Sequence, residues 1–308
     1  MKKIIIYLIT FSTINFILSC KSRSDDPQPI INEKPPVEKP NPPAVKIKQF
    51  ILRNMQDGGG SSLSDYYTSF TYNSQGFVES STTEIKIQTT GVTRSKSVSV
   101  MKYNDKLNFS DFKTQSINYV DMNGVSRDPS KYDTTSTVYS FIYEGDKVTI
   151  KKITTTTHHI ENNPTTVYED KEKDYLYIEL DDKNRMVRLW YNSGQEQTFE
   201  YDEKGNYVKT NIISKTSSYS LHHAYDTNKN NIHEVFPCSF SNRILSTENQ
   251  IHPVFFLSVN NPTIINHKEP ITLSASSISY KYEYNTEGYP IKQTSLIETD
   301  KRSRELIY

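Results

Sequence analysis

Cysteine is nearly absent: the 308 residues hold two, Cys20 and Cys238. At most one disulfide is available, and none if Cys20 is chemically modified, so burial of apolar surface must hold the fold. Net charge is absent too, with 36 Lys and Arg against 36 Asp and Glu. With no basic run either, the chain carries no electrostatic footprint for nucleic acid, and no nucleic-acid partner is expected. No apolar run reaches the roughly 20 residues of a transmembrane helix. Helical periodicity is nowhere sustained over the roughly 11 residues that mark an amphipathic helix. The chain contains no GxSxG, Walker-type loop, HExxH or dinucleotide fingerprint. No cofactor and no metal are expected.

What is present starts at the N-terminus. Lys2 and Lys3 precede a mostly apolar stretch, Ile4 to Leu18, interrupted by Thr10, Ser12, Thr13 and Asn15. This pattern reads as a secretory signal over residues 1–19. Ile17-Leu18-Ser19-Cys20 resembles the lipobox of bacterial lipoproteins. In those proteins the cysteine thiol accepts a diacylglycerol, and a small residue before it fits the peptidase. Cys20 is therefore the expected lipidation site, and its acyl chains, palmitate among them, would anchor the protein at about 0.8 kcal/mol per buried CH₂. Cleavage there changes the charge balance to 34 against 36. Asp25-Asp26 resembles the surface-export signal of Bacteroidota lipoproteins. A solvated tether with an incidental acidic pair explains it equally well. Residues 20–43 form the expected tether, with seven of the chain's fourteen prolines in residues 21–43. At about 3.1 Å per residue in polyproline form, this segment reaches up to roughly 70 Å. The implied location is the outer membrane, lipid-anchored, at the cell surface or on the periplasmic face.

Residues 44–308 carry a strand-forming composition, with 22 tyrosines and 13 phenylalanines among abundant Ser and Thr. Three stretches share one pattern: FTYNSQGFV (70–78), FEYDEKGNYV (199–208) and YEYNTEGYPI (282–291). Each has an aromatic-x-Tyr, then Asn or Asp, two polar residues and a glycine. Asn73, Asp202 and Asn285 suit the first position of a type I turn, which their side chains cap. Gly76, Gly205 and Gly288 suit the left-handed position that closes a bulged hairpin. FIYEGDKVTI (141–150) and YIELDDKNRMV (177–187) are looser versions. Flanking segments alternate with period two, as in Ile278, Tyr280, Tyr282 and Tyr284. A calcium loop would need more spaced oxygen ligands than these stretches supply.

These stretches resemble the YD-type repeats of RHS-like proteins. The chain as a whole is similar to Bacteroidota lipoproteins built from degenerate repeats of that type, a family known as a domain of unknown function. The spacing here is irregular, which argues against a cargo-enclosing shell. The expected fold is mainly β: a curved antiparallel meander of YD-like hairpins. Residues 225–268, which alternate little, are expected to form an excursion with one or two short helices against one sheet face. Similar lipoproteins carry an insertion here with an NNP element, matched by Asn260-Asn261-Pro262.

Several residues could carry chemistry. His158-His159 and His222-His223 are adjacent pairs, so on strands each pair splits between opposite faces and cannot chelate alone. A composite zinc site would need His233, His252 or His267. Cys238 is either a nucleophile beside a histidine or a buried thiol. Asp181-Asp182 falls in a turn. Tyrosines on the sheet either stack on sugars and peptides or form cross-strand ladders. Two function classes follow. One is a non-enzymatic structural or binding module with a glycan or envelope-protein partner. The other is an extracellular hydrolase acting on glycan or peptide polymers, whether through a distant carboxylate dyad or otherwise.

Overall fold

The computed structural model describes residues 43, 45–56, 63–119, 132–159, 165–238, 258–268, 278–296 and 302–308. The expected signal, Cys20 and almost all of the tether lie outside these residues, as does His252.

Sixteen strands follow in order: β1 (Gln49–Gln56), β2 (Leu63–Tyr72), β3 (Val78–Ile87), β4 (Thr93–Tyr103), β5 (Phe109–Asn118), β6 (Asp133–Glu144), β7 (Lys147–His158), β8 (Thr166–Leu180), β9 (Met186–Trp190), β10 (Glu196–Tyr201), β11 (Tyr207–Ile213), β12 (Ser218–Lys229), β13 (Asn260–Lys268), β14 (Ile278–Tyr284), β15 (Pro290–Ser295) and β16 (Ser303–Ile307). One helical turn, α1 (Asn231–Val235), lies between β12 and β13. Each strand pairs antiparallel with its neighbours in sequence, and β1 also pairs with β16, from Gln49↔Ile307 to Arg53↔Ser303. The meander connectivity is as expected. The open, curved sheet is not: the meander closes into a barrel, which removes both edges.

The closing seam is clasped on the outside. Arg53 donates Nε and Nη2 to the two Glu305 carboxylate oxygens at 2.8 and 3.1 Å, and Nη1 to Asp65 at 3.0 Å. A planar guanidinium matches a carboxylate in this bidentate way.

The period-two alternation sorts the two faces. Phe112, Ile150, Leu176, Ile178, Met186 and Leu189 point inward and are fully buried. The outer face is mixed: Val98, Val100, Ile142, Ile153 and Ile213 are exposed there, among polar side chains that are joined by charge. Lys96 meets Glu84, Lys113 meets Asp111, Arg188 meets Glu196, Lys209 meets Glu200, and Lys292 meets Glu283.

The excursion is shorter than 225–268. Tyr225–Lys229 continues β12 and Asn260–Lys268 is β13, so it runs from 230 to 259. Its described part does not lie against an outer face. Ile232, Val235, Phe236 and Cys238 are buried in the same core cluster as the inward side chains of the wall. The three prolines and scarce alternation of this stretch mark a break from the β pattern, but they do not say which side of the sheet it covers.

Candidate functional site: the barrel interior and its two ends

Six hairpin turns share one end of the barrel, together with the entry of the chain at Lys48 and the excursion. In five of them an Asn or Asp caps the turn. Asn73 Oδ1 accepts from the Gln75 and Phe77 amides at 3.0 Å each, and Asn285 Oδ1 from Glu287 and Tyr289 at 3.1 and 2.9 Å. Asp202 Oδ1 accepts from the Asn206 amide at 2.7 Å. Gly76, Gly205 and Gly288 have φ of 88°, 90° and 83°, the left-handed region. Two further turns put other residues there, Leu107 and Asn184, each at φ 60°. Asn104 and Asp181 cap these in the same manner. The Leu107 turn was not read from the sequence, because a leucine gives no left-handed signal. Asp181 also binds the Arg185 guanidinium at 2.7 Å, so this half of the Asp181-Asp182 pair serves the turn.

A second regularity sits just before the turns. Tyrosine hydroxyls at strand ends donate to the carbonyl that opens the adjacent strand. Tyr72 donates to Ile47 O at 2.6 Å, Tyr103 to Val78 O at 2.7 Å, Tyr201 to Met186 O at 2.8 Å, Tyr282 to Pro262 O and Tyr308 to Pro290 O at 2.7 Å each. Tyr143 to Phe109 O and Tyr225 to Tyr207 O repeat the contact. Burial pushes these phenols well above their ordinary range, so they remain donors. In the first two aromatic-x-Tyr-Asx stretches the tyrosine, Tyr72 or Tyr201, is the latch. In the β14 hairpin the latch is Tyr282, while Tyr284 reaches Asp226.

The turns also reach one another. Asn108 and Asn184 exchange side-chain amide hydrogen bonds, both at 3.0 Å. Asn206 donates to Asn260 Oδ1 at 3.0 Å and accepts from its backbone amide at 2.8 Å. Asn260 and Asn261 hold the return of the excursion by donating to Asn228 O and Lys229 O.

Above this rim the interior has two tiers. Nearest the turns, rings follow one another around the wall: Tyr103–Phe109, Phe109–Phe112, Phe112–Tyr139, Tyr139–Tyr175 and Tyr175–Tyr191, with centroids 5.4 to 6.2 Å apart. Phe236 of the excursion meets Phe70 edge-on at 5.8 Å. Further up, strands β2–β7 turn hydroxyls inward. Thr68 pairs with Thr83 at 2.9 Å, Ser97 with Ser116 at 2.7 Å, Ser99 with Thr114 at 3.2 Å and Thr137 with Thr154 at 3.3 Å. The tyrosines therefore serve mainly as rim latches and inward ladders. Tyr168, 59% exposed, is an exception.

The remaining sequence candidates do not converge. His222 and His223 take opposite faces, and His223 is buried against the Tyr207 ring at 4.5 Å. Burial, then the neighbouring His222, lowers the His223 pKa to about 4. His158 lies 3.6 Å from Asp133 at the far end, and His233 is on α1. Among the described residues no group of His, Cys, Asp and Glu could hold a metal ion. Cys238 is a fully buried thiol within the core. A small enclosed space borders the excursion, lined by Phe50, Ile232, Leu306, Gln293 and Arg304. Arg304 donates to Gln293, which in turn donates to the Tyr282 hydroxyl at 2.7 Å.

No family model matches the chain, and no curated protein matches it. Among solved structures it is similar to a porin-like protein from Bacteroides uniformis ATCC 8492, at 12% identity and a TM-score of 0.43, covering 86% of this chain and 98% of that one. It is also similar to a porin-like protein from Bacteroides vulgatus ATCC 8482, at 12% identity and a TM-score of 0.36, covering 85% and 98%.

Proposed function

We propose that this chain is a lipid-anchored protein of the outer membrane whose barrel stands in solvent as a rigid, non-enzymatic binding or scaffolding module. The observation that carries this reading is the spread of ion pairs over the outside of the wall, with no continuous apolar band among the described residues. A barrel that spans lipid turns apolar residues outward, and a Lys or Arg facing the bilayer midplane costs about 2–4 kcal/mol. Here the outward positions carry ion pairs on β1–β5, β8–β11 and β14–β16. The buried apolar side chains face inward and meet the excursion, so the interior behind the capped turns is a packed core, which argues against a porin-like channel. Attachment to the membrane then falls to the acyl group expected on Cys20, with the proline-rich segment as spacer. A glycan or an envelope protein is the partner class this reading supports.

The test is fractionation of cells expressing the full chain and its Cys20→Ala variant. The wild type is expected in the outer-membrane fraction and the variant released or unprocessed. Purified protein added to planar bilayers should give no conductance steps. A Cys20→Ala protein that stays membrane-integral after alkaline extraction, or that opens channels, would overturn the reading.

A further inference from the structure

We infer that the outer face of β4–β7 docks on a membrane surface, its partner being an anionic phospholipid headgroup layer. The inference goes beyond the reading above and rests on it only in that the barrel stands outside the bilayer. Its support is where the exposed aliphatic side chains fall. Val98, Val100, Ile142 and Ile153 are 38% to 45% exposed. Register sets them together on the outer face. Val98 is opposite Gln115, and Val100 is opposite Lys113, which is opposite Val138, which is opposite Ile153. Ile142 follows on β6, opposite Thr149. Elsewhere on the wall the exposed aliphatics sit at or next to strand ends, as Leu63, Ile213 and Ile307 do.

Charge on this face is unbalanced. Lys96 is matched by Glu84 of β3 at 3.5 Å. Lys102, Lys113, Lys147 and Lys151 then stand against Asp111 and Glu144 on the outer positions of the four strands. Asp111 is shared, lying 4.0 Å from Lys102 and 3.7 Å from Lys113. On β9–β11 and β14–β15, by contrast, Arg188 meets Glu196, Lys209 meets Glu200 and Lys292 meets Glu283, one for one. The flank with the exposed aliphatics is thus also the flank with surplus lysine.

The chemistry of the face selects the partner. A second copy packed face to face would set lysine against lysine. Sugars stack on exposed rings, and here Tyr103, Phe109, Phe112, Tyr139, Phe141 and Tyr143 all turn into the core. The same lack of outward rings removes the aromatic anchors on which protein interfaces depend. A headgroup layer needs neither. Lysine stems lie along the apolar surface and put their ammonium groups among the phosphates, while the branched side chains between them meet the interfacial region. The patch covers four of the sixteen strands, so it is not the closed apolar girdle that spanning lipid requires.

The experiment uses the full-length, lipidated protein with vesicles of phosphatidylcholine, alone or mixed with phosphatidylglycerol, that carry a nitroxide on the headgroup. Gln115→Cys places a thiol at an exposed site between Val98 and Ser136, and Lys281→Cys places one at an exposed site on β14. Cys238 is fully buried, so a maleimide fluorophore reports the new site. In the phosphatidylglycerol vesicles, quenching at position 115 should exceed that at position 281 by about twofold or more. Lys113→Glu with Lys151→Glu should remove the excess at 115, whereas Lys209→Glu with Lys292→Glu, the same change of charge elsewhere on the wall, should leave it. Equal quenching at the two sites, or a loss that the second pair reproduces, would overturn the docking while leaving anchoring intact. Flotation of the unlabelled chain separates the two readings. A chain that floats with the phosphatidylglycerol vesicles alone, and loses this with Lys113→Glu and Lys151→Glu, would remove the anchoring and uphold the docking. A chain that floats with neither would remove both.

Discussion

The two ends of the barrel terminate their strands in different ways. At the tight-turn end the chain reverses within a few residues, an Asn or Asp caps the reversal, and a tyrosine hydroxyl ties the strand to its neighbour. At the other end the connections are mostly longer. The 191–195 turn has the same backbone and a left-handed Gly194, but Tyr191 stands where the capping residue would be. The interior follows the same division: rings pack behind the capped rim, and hydroxyl pairs line the wall towards the long connections. The described caps and tyrosine latches are thus concentrated at one end, which predicts that stability is concentrated there too.

Strand β5 crosses both tiers and gives the largest contrast. Phe112 is fully buried between the Phe109 and Tyr139 rings, at 5.6 and 5.4 Å. Thr114, two residues on, accepts one hydrogen bond from the Ser99 hydroxyl. Phe112→Ala should cost about 3–5 kcal/mol, removing a ring and leaving a cavity. Thr114→Ala should cost about 1 kcal/mol for the lost hydrogen bond. Urea unfolding of the two variants measures the ratio. Equal losses would mean the tiers are energetically alike.

His223 sharpens the comparison through pH. It lies on the inner face beside Tyr207, and burial holds its folded pKa near 4 against an ordinary 6.5. Between those values the unfolded chain binds the proton and the folded chain does not. Stability therefore falls as pH drops from 6.5 towards 4, by about 3 kcal/mol in all, and this contribution levels off below 4. His223→Phe keeps a ring against Tyr207 and removes the proton. Unfolding free energies from urea titrations at pH 7.5 and 4.5 should differ by about 2.5 kcal/mol more in the wild type than in the variant. An identical acid slope in both would show that His223 is not held neutral.

How much of this was legible depends on the range of the signal. The three Asx–Gly turns were readable because the cap and the left-handed residue sit within four positions. Leu107 adopts the same conformation with the Asn104 cap as its local sign but without the glycine that marks the left-handed position. Closure was not legible at all. Gln49 and Ile307 pair across nearly the whole chain, and neither QFILRNMQ nor SRELI marks a partner. The inward course of the excursion was hidden for a related reason. Its apolar residues announced burial, but an open sheet and a closed barrel bury them equally well. Four of the rim tyrosines, Tyr72, Tyr103, Tyr201 and Tyr225, stand before Asn or Asp. The role of the rim tyrosines was not legible, because the acceptor carbonyl lies 15 to 34 residues away.

Glycine substitutions test the rigidity of the capped rim next. A Cβ on Gly205 would stand 3.2 Å from Val259 Cγ2 at the return of the excursion, whereas one on Gly91, at the opposite end, would meet nothing within 4 Å. Both have positive φ, so valine is strained at each, by about 1–2 kcal/mol. Gly205→Val should cost more than Gly91→Val, because Val259 must shift as well. Thermal unfolding of the two variants reads the difference. A larger loss at Gly91 would show that the long connections, and not the capped turns, set the stability.

The smallest effect concerns the tyrosine latches one at a time. Tyr103→Phe keeps the ring stacked on Phe109 at 5.4 Å and deletes the hydroxyl that reaches Val78 O. The expected loss is about 1 kcal/mol, the worth of one buried hydrogen bond, with the excess set by the stranded carbonyl. Strand β8 supplies the internal control. It ends in Leu180 where β2, β4 and β10 end in tyrosine, and Leu180 is buried without a hydroxyl to offer. Leu180→Phe should therefore change stability through packing alone. Leu180→Tyr could add a latch only if the opening carbonyl of β7 lies within reach of the new hydroxyl. If latching is what the rim tyrosines do, Tyr103→Phe loses stability and Leu180→Tyr exceeds Leu180→Phe. Should Tyr103→Phe unfold at the wild-type urea midpoint, the hydroxyls are passengers and the rim is held by its rings.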